Sequence, residues 1–307
     1  MIPSGERTGV VAVVAAYRPE AGLVANVAAA AAQVDGVVVV DDGSPAGSAE
    51  VFAALDAADA VVVRQPANTG IAAALNAGIG VARERWRPEF VLTLDQDSTL
   101  GPAYVRWAVD TYRRAVAAGI RVGFVAAEAY GAHPTPTRGR VGGFRRAFDP
   151  MQSGSLLPVA TLDALGGLDE GFFIDGVDSE YTARAGAAGL AVLVGEGCRL
   201  DHALGRREPA TFRGRPLRVL GRELSYNYHA PRRVYYMARN GTTLTLRHLR
   251  HDPGWVARRL TEESKAHLLR LALGRDRGRL LRALVAGWVD ALRGRSGPID
   301  PDLARRL

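Results

Sequence analysis

Short apolar runs separated by alanine-rich segments restrict most how this chain can fold. Val10 to Ala16 and Val37 to Val40 are built from valine and alanine, and Phe90 to Leu94 is of the same kind. Runs of this length without polar alternation suit strands buried on both faces of a sheet. Gly22 to Gln33, between the first two, is rich in alanine, the strongest helix former. Strand, helix, strand alternation predicts a parallel α/β sheet. The same reading predicts helices over Glu50 to Asp59, Ile71 to Arg85 and Pro102 to Ala118, with strands at Ala60 to Arg64 and Val122 to Ala127. Beyond these it predicts strands at Met151 to Pro158 and Leu190 to Val194, and helices over Val159 to Leu165, Ser179 to Ala188 and Pro231 to Leu249. Two segments lack periodicity and are expected as loops: Glu208 to Gly221, and Gly131 to Arg146, the latter as a substrate flap or surface excursion.

With 307 residues, 48% apolar and 23% charged, the chain has the composition of a folded protein with a sizeable core. The lone Cys198 excludes an intramolecular disulfide framework and fits a reducing compartment. No apolar stretch approaches the roughly 20 residues that span a bilayer. Val10 to Ala16 stops at Tyr17-Arg18-Pro19-Glu20 without a signal-peptide pattern. These features predict a cytoplasmic protein. A formal net charge of +7 points to an anionic partner. Base-stacking aromatics do not interleave with the arginines, so nucleic acid is not expected, and phosphorylated substrates or membrane headgroups fit better. Near the C-terminus, Leu281, Leu284, Val285, Trp288, Val289 and Leu292 fall on one helical face, with Arg279, Arg282 and Arg293 on another. Such a helix packs on a domain or lies in a membrane interface.

Asp95 and Asp97 follow the run Phe90 to Leu94. On an extended segment they project from one face, where two carboxylates can hold Mg²⁺ or Mn²⁺ against a diphosphate. Asp-x-Asp alone also describes helix caps and turns. Val37 to Ser44 reads VVVVDDGS, placing Asp41 and Asp42 where a carboxylate can accept from a nucleobase or a ribose hydroxyl; an Asx turn is the competing reading. Asn68-Thr69-Gly70, followed by Ala74, Asn76 and Gly78, leads into a helix whose first N–H groups favour anions. Open α/β sheets bind ligands beyond the carboxyl ends of their strands, so Tyr17, Asp41, Asp42, Asp95 and Asp97 are expected at one edge.

Taken in order, the strand ending in Ala16-Tyr17, then VVDDGS, then N-x-G-x-x-x-A-x-N-x-G, then Asp-x-Asp resemble the family 2 inverting nucleotide-sugar glycosyltransferases, over Val10 to about Asn240. Leu94 to Ser98 (LDQDS), Phe172 to Glu180 (FFIDGVDSE), Leu200 to Gly205 (LDHALG) and Arg233 to Asn240 (RVYYMARN) look most like bacterial rhamnosyltransferases. The resemblance implies an α/β fold of GT-A type, the nucleotide-diphospho-sugar transferase architecture: a Rossmann-like mixed sheet with a C-terminal helical appendage. The GT-A domain would span residues 1–250 and an amphipathic helical extension residues 251–307.

By position, the resemblance puts Tyr17, Asp42 and Asn68 around the nucleoside with Asp41 beside them, and adds Asn76 to the donor side. Asp95 and Asp97 would bind the metal and diphosphate, with His202 joining that shell. Asp178 would be the general base; Val177 stands where the family often has Glu, which keeps Asp175 and Glu180 as secondary candidates. Ser153 and Gly154 would shape the donor-sugar pocket. Arg232, Arg233 and Arg239 would reach a phosphate or form a solvated helix face, while Tyr235 and Tyr236 are expected to pack. The implied cofactor is Mn²⁺ or Mg²⁺. The implied donor is dTDP-rhamnose, with a UDP-hexose or UDP-galactofuranose as alternatives, and the acceptor is a glycan or glycolipid, carried on a polyprenyl phosphate at the inner face of the cytoplasmic membrane. A non-catalytic nucleotide-sugar sensor would share the pocket but need no base at Asp178.

Overall fold

The structure, a computed structural model, describes residues 7–202, 207–209, 211–212, 215–216, 218–219, 222–223, 225–274 and 276–307. The chain forms two compact units, Met1–Phe173 with Val177–Ala203, and Ile174–Gly176 with Leu204–Leu307.

The first unit opens with Val10–Ala16 (β1), Gly22–Ala31 (α1), Gly36–Asp41 (β2), Ala49–Asp56 (α2), Val61–Arg64 (β3), Ile71–Trp86 (α3) and Phe90–Asp95 (β4). It continues with Ser98–Leu100 (β5), Tyr104–Ala117 (α4), Val122–Ala126 (β6), Ala129–Tyr130 (β7), His133–Pro134 (β8), Thr137–Val141 (β9), Phe144–Ala147 (β10) and Ser155–Pro158 (β11). Val159–Leu165 (α5), Val177–Ala187 (α6), Ala191–Val194 (β12) and Arg199–His202 (β13) complete it.

Nine strands form one sheet in the order β3-β2-β1-β4-β11-β6-β12-β10-β9. The first four are parallel, as their unbroken apolar pattern demands, and β1, β2 and β4 are almost wholly buried. From β1 the chain steps outward to β3 and then returns to the other side of β1 as β4. That reversal is the topological switch where open α/β sheets leave a crevice. Antiparallel β11 inserts between β4 and β6, which makes the sheet mixed.

Most of residues 131–146 form strands rather than the expected loop. They supply β8, β9 and β10, and β10 extends the large sheet beyond β12. Gly142 and Gly143, at φ of 50° and 87°, make the two-residue turn between β9 and β10. A Gly-Gly pair in that position is a hairpin signal. A smaller sheet, β5-β13-β7-β8, stands beside the metal-ligand candidates.

The second unit contains Pro231–His248 (α7), Pro253–Leu273 (α8), Arg277–Leu292 (α9) and Pro301–Arg306 (α10), so α7 groups with the C-terminal helices rather than with the preceding sheet. Proline at the first helical turn starts α7, α8 and α10, where its missing N–H costs nothing. The described part of residues 207–227 pairs as short antiparallel ladders rather than running as loop: Arg207–Pro209 with Ser225–Asn227, Thr211–Phe212 with Arg215–Pro216, and Arg218–Val219 with Arg222–Glu223.

α9 turns all of its apolar stripe but Leu284 outward. Leu280, Ala283, Leu284, Gly287, Asp290 and Ala291 are buried, whereas Leu281, Val285, Trp288, Val289 and Leu292 are exposed, Leu292 by 71%. The cause is close approach to α7: a Cβ on Gly287 would lie 2.6 Å from the Tyr235 carbonyl. Asp290 accepts from the Tyr235 hydroxyl (2.8 Å) and pairs with Arg295 (3.2 Å). Small residues and a satisfied carboxylate thus win the interface over the bulkier stripe. No helix among the described residues is long and apolar enough to cross a membrane.

Candidate active site

Strand register brings the sequence motifs level. Ala16 pairs with Asp41 across β1 and β2, and Ala15 with Asp95 across β1 and β4. The carboxyl ends of three neighbouring strands therefore carry Tyr17, Asp41 and Asp95. The extended segment stops at Asp95; Gln96 and Asp97 occupy a turn before β5, so the two aspartates are gathered by that turn and not by strand alternation. Gln96 anchors the turn, accepting from the Tyr17 N–H (2.8 Å) through its side chain and from Asn26 Nδ2 (2.9 Å) through its carbonyl.

His202 arrives by tertiary structure. In the antiparallel pairing of β13 with β5 it stands opposite Ser98. Its Nδ1 lies 2.9 Å from Ser98 Oγ and 3.3 Å from Asp97 Oδ1. Ser98 Oγ is 2.7 Å from Ser153 Oγ, which accepts from the Asp95 N–H at 3.0 Å. Ligand atoms of Asp95, Asp97 and His202 lie within 4.8 Å of one another. Two carboxylate oxygens and one imidazole nitrogen at that spacing fit a divalent cation, Mn²⁺ more readily than Mg²⁺, with Ser98 fixing the imidazole ring. Ser98, Ser153 and Gln96 were not identifiable as this scaffold from the chain alone, since their partners lie on other elements.

The glycine motifs hold the site's loops together. Asp41 Oδ1 accepts from the Ser44 N–H (2.8 Å), the Asx turn that competed with a nucleoside role. Asp42 accepts from the Thr69 N–H (2.7 Å), the Thr69 hydroxyl (3.0 Å) and the Gly70 N–H (3.0 Å), so both its oxygens tie the 68–70 loop to the end of β2. A Cβ on Gly43 would strike the Ala67 carbonyl carbon at 2.3 Å, so only glycine allows this approach. Asn68 Oδ1 is buried with no hydrogen-bond partner among the described residues, and the Tyr17 side chain is exposed.

Asn76 departs from its expected place on the donor side. Its Oδ1 accepts from the Leu168 N–H, and its Nδ2 donates to the Leu168 carbonyl and to Glu170, which commits the side chain to docking that loop on α3. Ser153 and Gly154 are buried. Gly154 sits at φ 82° against Tyr104, whose hydroxyl donates to its carbonyl (2.6 Å), so this pair braces β11 from within.

Asp178 lies in the first turn of α6 and lines a cavity with Thr93, Gln152 and Tyr181. Burial pushes the Tyr130 hydroxyl well above its ordinary pKa, and the neighbouring Asp178 and Asp95 carboxylates push it further. One buried phenol thus feels both Asp178 and the metal-ligand cluster. Glu180, the nearby alternative, is spent on Arg184, with a closest contact of 2.6 Å.

In the second unit, Asp175 receives a bidentate fork from Arg233, with a contact of 2.9 Å, and Asn240 Nδ2 donates to the Ile174 and Asp175 carbonyls. Arg232 donates to the Ala304 carbonyl (2.8 Å). Arg239, expected to reach a phosphate or solvent, is 1% exposed: it donates to Asn240 and the Gly297 carbonyl and stacks over Tyr235 and Tyr236. The tyrosine pair packs as expected, their rings edge to face at 5.3 Å. Ala203, Leu204 and Gly205 of the LDHALG segment lie outside the described residues.

Residues 11–155, from β1 to the start of β11, match the family model described as Glycosyl transferase family 2. No curated protein matches the chain. Among solved structures it is similar to residues 1–349 of S. aureus TarS, at 14% identity over 92% of this chain and 80% of that one, with a TM-score of 0.56. It is also similar to the mannosyltransferase PcManGT from Pyrobaculum calidifontis in complex with GDP-Man and Mn²⁺, at 20% identity over 95% and 89%, with a TM-score of 0.51. At such identities the structural likeness speaks to the fold. Residues 11–155 thus resemble a family 2 glycosyltransferase domain, and the fold is a GT-A-like mixed α/β sheet followed by C-terminal helices.

Proposed function

We propose that this protein is an inverting, metal-dependent glycosyltransferase that moves a hexosyl group from a nucleoside-diphosphate donor to a hydroxyl of a cell-envelope glycan precursor. The observation that carries the reading is the convergence of Asp95, Asp97 and His202 at the strand ends, with Asp178 sharing the surroundings of Tyr130. L-Rhamnose from dTDP-rhamnose is the sugar supported by the LDQDS, FFIDGVDSE and RVYYMARN segments. The exposed apolar face of α9, with Arg282 and Arg293 beside it, supports an acceptor held at an anionic membrane surface.

In this reaction Asp178 takes the proton of the acceptor hydroxyl as its oxygen bonds to the anomeric carbon. The bond from that carbon to the diphosphate oxygen breaks in the same displacement, so the anomeric centre inverts. A divalent cation held by Asp95, Asp97 and His202 would offset charge on the departing diphosphate. Asn68 and Asp41 offer acceptors to the nucleoside, and Asp42 keeps their loops in register.

Transfer assayed across dTDP-rhamnose, UDP-galactose, UDP-glucose, UDP-galactofuranose and UDP-N-acetylglucosamine, with Mn²⁺ or Mg²⁺, tests the proposal. Turnover is expected with dTDP-rhamnose, to be lost on chelation, and to fall by roughly 10²- to 10⁴-fold in Asp178→Asn while nucleotide binding persists. Full activity in Asp178→Asn would reject the base. Turnover of a UDP-sugar alone would reassign the donor, and nucleotide binding without any turnover would favour a sensor.

A further inference from the structure

Residues 173–176, the four before α6, hold a backbone that side chains resist. Phe173 stands at φ 55° and ψ −65°, Asp175 at φ 62° and Gly176 at φ 81°. Positive φ is uncommon outside glycine, and Phe173 lies outside even the left-handed helical region that Asn and Asp tolerate. Conformations of this kind cost free energy and persist only where the surroundings impose them; they gather at functional sites. Here the chain leads straight from them into the first turn of α6, where Asp178 stands three residues after Asp175.

The stretch is held along its length. The Phe173 carbonyl accepts from the Ile71 N–H (2.9 Å) at the start of α3, an approach so close that a Cβ on Gly70 would lie 2.5 Å from that oxygen. The next two residues are gripped by α7. Arg233 sets Nε and Nη2 on the Asp175 carboxylate at 2.9–3.1 Å, and Asn240 Nδ2 donates to the Ile174 carbonyl (2.9 Å) and the Asp175 carbonyl (2.7 Å). Asn240 is buried and its Oδ1 accepts from Arg239, which fixes the orientation of the carboxamide. Seven residues apart, Arg233 and Asn240 project from one face of the helix, so the two ends of the RVYYMARN segment act on the middle of FFIDGVDSE.

We propose that Arg233 and Asn240 are positioning residues for the general base: through Asp175 and Ile174 they impose the backbone of residues 173–176 that aims Asp178 at the acceptor hydroxyl. This inference rests on the glycosyltransferase reading and on Asp178 as its base. It assigns Asp175 to holding the base rather than sharing its work, since both its oxygens are taken by the guanidinium. A planar fork on a carboxylate restrains direction as well as distance, which a lysine does not. Proton abstraction depends on close placement, so a loosened entry to α6 lowers turnover while the nucleoside and metal candidates on β1, β2, β4 and β13 stay as they are.

The test uses Arg233→Lys, which keeps the charge and loses the fork, and Asp175→Asn, which keeps a residue that tolerates positive φ. With dTDP-rhamnose, or whichever assayed sugar nucleotide wild type turns over, each variant should release nucleoside diphosphate roughly 10- to 100-fold more slowly at saturating donor. Donor KM, and nucleoside-diphosphate affinity read by titration calorimetry, should stay within about twofold of wild type. The double variant should fall no further than the worse single one. In an Asp178→Asn background, Arg233→Lys should cost less than about twofold, because the residue it positions no longer works; a merely structural brace would cost the same factor in both backgrounds. Unchanged kcat in Arg233→Lys and Asp175→Asn alike, an undiminished loss in the Asp178→Asn background, or nucleoside-diphosphate affinity falling in step with turnover would each overturn the assignment. A loss in Asp178→Asn with none in Arg233→Lys or Asp175→Asn leaves the base standing and rejects the positioning alone. Full activity in Asp178→Asn, or no turnover by wild type, removes the underlying reading first and this inference with it.

Discussion

Asp42 shows how a residue in a recognisable motif can be spent on architecture. Its carboxylate is almost wholly buried and collects three hydrogen bonds from Thr69 and Gly70. Bonds to an ionised acceptor are among the stronger ones, and their donors would be stranded if it were removed. Asp42→Ala is expected to destabilise the first unit by about 2–4 kcal/mol in urea unfolding; a loss under about 0.5 kcal/mol would show that the clamp is unimportant. Asn76 and Arg239 carry the same lesson, since a loop and a buried stack consume the groups that a ligand would need. Sequence pattern located these residues but could not say whether their polar atoms remain available.

At the scale of elements, α9 is amphipathic in the ordinary way, yet it docks through glycine, alanine and a hydrogen-bonded aspartate. Its bulky stripe is left outward, with Trp288 46% exposed. If that stripe inserts into an anionic interface, Leu281→Ser with Trp288→Ser should weaken co-sedimentation with phosphatidylglycerol vesicles by roughly tenfold or more, the apolar burial lost from two such side chains. Far-ultraviolet circular dichroism should not change, because neither residue packs inside. Equal partitioning of the two proteins would remove the membrane reading, and loss of a concentration-dependent dimer would instead assign the stripe to a second copy.

At the scale of the whole molecule, the second unit holds an acid sensitivity of its own. Burial, then the positive charges of Arg233, Arg270 and His267, brings His229 down to about 4, and burial with Arg270 does the same to His267. An unfolded histidine titrates near 6.5, so between pH 6.5 and 4 the unfolded chain binds more protons. The stabilisation is complete above pH 6.5 and is lost as pH falls towards 4. Partial exposure reduces the effect to on the order of 1–2 kcal/mol per histidine. Thermal melts across pH 7 to 4.5 should decline in wild type and flatten in His229→Asn with His267→Asn; an equal decline in both would put the sensitivity elsewhere.

Much of the fold was legible in the sequence because strand and helix periodicity is local. The runs at Val10, Val37 and Phe90 became β1, β2 and β4, and placed acidic residues at strand ends, where a crevice opens in any sheet of this topology. Residues 131–146 lack such periodicity, and their hairpin rests on the Gly142-Gly143 turn and on pairing with β12, which is distant in sequence. Other features only tertiary structure decided. Antiparallel register between β13 and β5, not spacing along the chain, put His202 beside Asp97. The closeness of α7, not amphipathicity, chose the buried face of α9. Hydrogen bonds between distant loops determined that Asn76 is committed while Asn68 Oδ1 is not. Order of elements follows from interactions between near neighbours in sequence; the availability of a side chain depends on neighbours that only folding supplies.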